Sequence, residues 1–194
     1  MLYILLGEDD FSRRQALEEI KRGIGDQTLL AANTTTLDGR EVTLNRLRTV
    51  CDVVPFLAEK RLVIVERLLE RFESKGKSSR QKKTTPLPGQ QDEYKSLGAY
   101  ISRIPDSTIL VLIDDRVRSD NPLLRELSAK AEVKSFPLLR NAGLHRWIKQ
   151  RVTQEGGRIS TDAVELLAEL VGSNLWIMAN EIDKLVLFTS GRRI

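Results

Sequence analysis

The sequence predicts an α/β domain with a mainly parallel sheet and flanking helices, followed by a small all-helical domain. Three observations predict it. Residues 2–6, 62–65 and 108–113 are solid apolar runs without helical phase, as in strands buried on both faces. Amphipathic segments separate them, which implies parallel strands joined by right-handed crossovers. After Pro137 the alternation stops and three helical patterns follow in succession. The expected domains are residues 1–138 and 139–194.

Taken in order, residues 2–6 form a first strand ending at Gly7. Asp9 or Asp10 caps a helix with Ala16, Leu17, Ile20 and Ile24 on one face. Residues 27–32 are a weaker strand candidate, and 33–39 read as a polar turn region. Residues 40–54 are helical, with Leu44, Leu47, Val50/Cys51 and Val54 in phase. Strand 62–65 follows, then a short helix over 66–72. Residues 74–91 are rich in Lys, Ser, Thr, Gln, Pro and Gly and read as a mobile loop. Residues 92–104 are helical, and 108–113 are the strongest strand. Asp120-Asn121-Pro122 starts a helix, with proline in the first turn. Residues 132–136 are a short extended segment. The helical domain has Leu144, Trp147, Ile148 and Val152 on its first helix. Ser160 or Thr161 caps the second, where Val164, Leu167, Leu170 and Val171 share a face. Ser173 or Asn174 starts the third, which runs to about Phe188.

Composition excludes several classes. With 41% hydrophobic and 30% charged residues, the chain reads as globular. No apolar run approaches the ~20 residues that span a bilayer, so no membrane contact is expected. The N-terminus has no basic region and turns acidic at Glu8-Asp9-Asp10, unlike a signal peptide. A single cysteine, Cys51, rules out an internal disulfide and suits the cytoplasm. The net charge of +4 is local. Lys75, Lys77, Arg80, Lys82 and Lys83 carry five positive charges, which leaves the rest of the chain at −1. Such a run is either a solvated loop or a DNA contact, which would bind with strong salt dependence.

The strand ends, where α/β folds bind ligands, carry little chemistry. A phosphate loop reads G-x-x-x-x-G-K-[ST]. Here Gly7 is followed by Ser12, Arg13 and Arg14 at the positions of the second glycine, the lysine and the hydroxyl residue. Three acids stand where a triphosphate would bring negative charge. Asp114-Asp115 after the strongest strand resembles the magnesium-holding strand of an ATPase, but it lacks a phosphate loop to complement. Glu8-Asp9-Asp10 with Asp52 and Lys134 resembles the acidic pocket of a receiver domain. A receiver, however, needs its phosphoacceptor at a strand end, whereas Asp52 closes a helical segment. His145 lacks catalytic or metal-binding partners, Cys51 lies on an apolar helical phase, and no multi-cysteine zinc pattern is present. No metal or cofactor is expected.

One stretch stands apart. Pro55-Phe56-Leu57 lies between a helical segment and the 62–65 strand, where a chain leaving a helix is normally polar. Phe56 and Leu57 either pack under the sheet or are displayed for a partner.

Several blocks stand in order along the chain: Tyr3-Ile4-Leu5-Leu6-Gly7-Glu8-Asp9-Asp10-Phe11, Leu37-Asp38-Gly39 and the stretch from Pro55 to Val65, then Phe136-Pro137, Trp147-Ile148, Ile159-Ser160, Leu170-Val171-Gly172 and Ala179-Asn180-Glu181-Ile182-Asp183-Lys184-Leu185. In their order and spacing they resemble, along the whole length of the chain, the delta subunits of the bacterial DNA polymerase III clamp loader. The resemblance implies an ATPase-like (AAA+-like) first domain that has lost nucleotide binding, and a lid-like helical second domain. It implies no catalysis by this subunit itself, which serves a DNA-directed DNA polymerase holoenzyme. A helical collar domain is implied as well, joining the subunit to the loader's ATPase subunits and delta-prime; it is expected to be absent from this chain, which reads as truncated. Trp176 stands where many relatives carry Arg. Phe56 and Leu57, with Pro55 setting the helix exit, match the apolar pair that enters a pocket of the β sliding clamp and holds it open. DNA contact would be indirect or weak. The competing reading is a divergent nucleotide hydrolase, with a receiver-like phosphoacceptor behind it.

Overall fold

A computed structural model describes residues 1–25, 27–73, 88–190 and 192–194. The chain groups into two compact units. One comprises Met1–Glu8 and Arg13–Phe136; the other comprises Asp9–Ser12 and Pro137–Ile194.

The first unit holds a five-stranded, fully parallel sheet in the order β2-β3-β4-β1-β5. Its strands are β1 (Leu2–Leu6), β2 (Thr34–Asp38), β3 (Arg61–Glu66), β4 (Thr108–Asp114) and β5 (Glu132–Ser135). β3 and β4 lie centrally, and their solid apolar runs follow from that place. Alternate residues serve opposite faces. Leu5, Leu62, Ile64, Ile109 and Val111 pack with Ala16 and Ile20 of α1 (Asp10–Arg22). On the other face, Ile4, Val63, Val65, Leu110 and Leu112 pack with three helices. These are α3 (Leu44–Cys51), α4 (Pro88–Ile101) and α5 (Pro122–Leu127). Each fully buried aliphatic side chain contributes about 1.5–3 kcal/mol, so the two-faced sheet is the main source of stability in this unit.

Several elements differ from expectation. Residues 27–30 form a short helix, α2 (Gln27–Leu30), and the strand comes later, at β2. β2 is an edge strand pairing only with β3. Its Thr34-Thr35-Thr36 run suits an extended backbone with one solvated side, which explains its polar appearance. Gly39 follows because a Cβ there would stand 2.5 Å from the Leu68 Cα, and its N–H donates to the Glu66 carbonyl. The helix expected over 40–54 is shorter. The Thr43 hydroxyl caps its start by accepting from the Arg46 N–H, and α3 ends at Cys51. Val54 therefore leaves the apolar face and is exposed. Within 66–72 only Glu70–Phe72 is helical, as a single 3-10 turn. Residues 88–91, expected in the loop, belong to α4. Asn121 caps α5 through the Leu124 N–H, with Pro122 in the first turn as expected.

The second unit is three helices, α6 (Asn141–Gln154), α7 (Thr161–Val171) and α8 (Leu175–Thr189). Ser160 and Asn174 cap the last two by accepting from the Ala163 and Ile177 N–H groups. Leu144, Ile148, Val152, Val164, Met178 and Ile182 form the core, with Phe11 among them. The Phe11 ring meets Trp147 and Trp176 edge to face, with centroids 5.5 and 4.9 Å away. Leu170, expected on the inner face of α7, is exposed, as are Leu187 and Phe188. Among the described residues no helix is long and apolar enough to cross a membrane.

Candidate functional site

The residues leaving α3 form an irregular loop whose backbone is held at many points. Asp52 closes the helix by donating its N–H to the Arg48 carbonyl, and its carboxylate accepts from the Tyr100 hydroxyl at 2.6 Å. The fully buried Thr108 donates to the Cys51 carbonyl at 2.7 Å, and Arg61 donates to the Val53 carbonyl at 3.1 Å. Asn33 bonds both backbone groups of Phe56. Lys60 donates to the Asp106 carbonyl at 2.7 Å. The backbone is tied down while the side chains face outward. Phe56 is 63% exposed, Leu57 76% and Val54 81%. Pro55 is half-buried between them. Leu57 has φ 50°, in the left-handed region that non-glycine residues seldom occupy. Phe56 and Leu57 are thus displayed, not packed under β3. Exposure alone does not single them out, since Leu187 and Phe188 are equally bare. The combination of tethered backbone and outward apolar pair does.

The strand ends look different at close range. The Gly7 N–H, a donor that a phosphate loop would offer its ligand, bonds the Asp114 carbonyl at 3.1 Å. The Ser12 N–H donates to the Asp9 carboxylate at 3.2 Å. A helix N-terminus favours an anion, and here a carboxylate of the chain takes that place. Arg13 is buried and ion-paired with Asp115, Glu8 pairs with Arg116 at 2.7 Å, and Arg14 is exposed. Apart from Arg14, the donors and cations at these positions are engaged by the protein itself.

Asp114 is 1% exposed. Its Oδ1 accepts from the Glu70 N–H at 3.0 Å, which anchors the 3-10 turn, while Oδ2 has no hydrogen-bond partner. Burial pushes its pKa up to about 7 against the backbone N–H groups of Glu70 and Leu69, which pull it down. An acid that titrates near 7 in the fold and at 3.8 in the unfolded chain holds its proton more tightly when folded. The contribution of Asp114 to stability is therefore greatest below about pH 4, falls as pH rises, and levels off above about 7. The difference amounts to roughly 4 kcal/mol at most. Asp114→Asn keeps an acceptor for Glu70 and removes the charge. It is expected to raise the melting temperature at pH 8 and leave it nearly unchanged at pH 4; equal shifts at both values would rule out the buried charge as the cause.

Asp52 is the C-cap of a helix and ends no strand, so the receiver arrangement is not formed. Cys51 is buried, and burial pushes its thiol up to about 11, which suppresses the thiolate at neutral pH. His145 is half-buried on α6. Trp176 donates its ring N–H to Asp10 at 3.2 Å and packs on Phe11, which gives it a structural place. Among the described residues no cluster of three or more His, Cys, Asp or Glu could hold a metal. Lys75, Lys77, Arg80, Lys82 and Lys83 lie outside the described residues. Sequence reasoning missed Asn33, whose bonding partner is 23 residues away and leaves no local pattern.

Comparison with known proteins identifies the family and the fold. The family model described as "DNA polymerase III, delta subunit" matches residues 3–136, well over half of the chain. The DNA polymerase III subunit delta of Bacillus subtilis (strain 168) is 24% identical over 193 residues, covering 98% of this chain and 53% of its own length. The solved structure of the Bacillus subtilis DNA clamp loader delta protein superposes with a TM-score of 0.73 at 23% identity, covering 100% of this chain and 55% of that one. The chain thus spans about half the length of the relatives it matches.

Proposed function

The chain belongs to the DNA polymerase III delta-subunit family, and on that premise we propose that it binds the β sliding clamp through Phe56 and Leu57 and holds the clamp open for loading onto DNA during replication. The observation that carries this reading is the displayed apolar pair on a tethered loop. Two adjacent apolar side chains on a fixed backbone can enter a pocket at little ordering cost. A bound ligand shifts a closed-to-open equilibrium only by its preference for the open form. The chain would act as a wedge that consumes no nucleotide. ATP binding would belong to the ATPase subunits of the loader, and joining them and delta-prime would belong to the remaining length seen in relatives. Any contact with DNA is secondary, and the work is done in the cytoplasm.

The engagement of Gly7, Asp9 and Arg13 within the protein supports the wedge over a nucleotide hydrolase. The test is release of purified β clamp from nicked circular DNA. The chain is expected to accelerate release without ATP, and magnesium-ATP is expected to add nothing. No acceleration, or acceleration only with ATP, contradicts the reading.

A further inference from the structure

Asn33 is only 2% exposed although it precedes an edge strand. Both hydrogens of its side-chain amide and the amide oxygen are engaged. Nδ2 donates to the Leu29 carbonyl at 3.0 Å and to the Phe56 carbonyl at 2.9 Å, and Oδ1 accepts from the Phe56 N–H at 2.6 Å. Phe56 offers one donor and one acceptor, so only this orientation of the amide satisfies both. The Asn33 backbone is fixed as well. Its N–H reaches the Leu29 and Leu30 carbonyls, and its carbonyl accepts from the Leu62 N–H at 2.9 Å. The amide therefore acts as one rung of a strand ladder, joining an irregular loop to the entry of β3.

We infer that Asn33 is the positioning residue of the docking loop: it holds both backbone groups of Phe56 and so sets the direction in which Phe56 and Leu57 project before the β clamp arrives. This rests on the proposed docking of that pair. The sheet does not need these bonds, because β2 pairs with β3 from Thr34 onward. What they hold is the residue with an exposed ring, directly before Leu57 in its left-handed conformation. A backbone in that region persists when its surroundings hold it there. Fixing it in advance removes an ordering cost from the binding step. Asn33→Ala deletes all three side-chain bonds. Asn33→Asp keeps the acceptor for the Phe56 N–H but sets a carboxylate against the Leu29 and Phe56 carbonyls.

The test titrates purified β clamp with the 194-residue chain and its variants. Asn33→Ala is expected to weaken binding about tenfold. A core variant matched to it in melting temperature, chosen from Ile4→Val and Leu127→Ala, is expected to bind as the parent does. In a Phe56→Ala/Leu57→Ala background, Asn33→Ala is expected to have no further effect, because there is nothing left to position. Unchanged affinity of Asn33→Ala, or equal loss in the matched core variant, overturns the inference while leaving the docking pair in place. Unchanged affinity of Phe56→Ala/Leu57→Ala itself overturns both. One measurement needs no substitution. In the free chain the Phe56 amide is expected to exchange with solvent at least about a hundredfold more slowly than in an unfolded chain. Unprotected exchange there overturns the inference even if Asn33→Ala does not fold.

Discussion

Phe56→Ala and Leu57→Ala are each expected to weaken binding to purified β clamp by about thirtyfold and to leave folding intact. The two outcomes come from one fact. Both side chains point to solvent, so truncation removes no core contact in the free protein. Exposed substitutions of this kind stay within about 0.5 kcal/mol of parental stability, a shift of at most about 2 °C in melting temperature. An anchor at the centre of an interface typically loses about 2 kcal/mol or more on truncation, which corresponds to roughly thirtyfold in affinity. Alanine also tolerates the Leu57 backbone no worse than leucine does. Calorimetric titration and thermal melting of the same preparations decide the matter. Variants that unfold, or that bind the clamp as the parent does, remove Phe56 and Leu57 from the interface.

Gly7→Ala is expected to cost more than about 4 kcal/mol and to leave little folded protein. Two effects combine. Gly7 has φ 126°, which side-chain-bearing residues rarely adopt. A Cβ would also stand 2.1 Å from the Phe136 carbonyl oxygen. Neither backbone can retreat, since the Gly7 N–H is held by Asp114 and the Phe136 N–H by Leu6. Gly156→Ala separates the two effects. Gly156 also has positive φ but nothing within 4 Å of a new Cβ, so it is expected to cost only about 1 kcal/mol. Chemical denaturation of both variants reads the contrast. Equal costs would mean that the Phe136 contact is unimportant. The glycine that resembles the start of a phosphate loop would then need another explanation than packing.

The strands at the centre of the sheet were legible because burial on both faces removes polar residues altogether, as in residues 62–65 and 108–113. Helix starts were legible where a side chain caps the backbone, as Asn121, Ser160 and Asn174 do. β2 was misplaced because an edge strand of threonines resembles a turn when its single partner is unknown. α3 was read too long because Val54 kept the helical phase after the backbone had left it. The site was half legible. Pro55-Phe56-Leu57 stood out as apolar residues in the wrong place, but sequence could not separate burial from display. That choice depends on bonds from Asn33 and Thr108, neither of which is close in sequence to the carbonyl it holds. The role of Asp114 was hidden for the same reason. Its burial and its bond to Glu70 arise from a turn 44 residues earlier.

The proposed docking brings the clamp to the loop after α3 and not to the other bare apolar residues of the chain. Backbone amide exchange of the 194-residue chain, free and with saturating β clamp, tests this most directly. New protection is expected to be concentrated in residues 52–60, with the peptides that carry Leu170, Leu187 and Phe188 unchanged. Protection at those helical residues with none at 52–60 would contradict it.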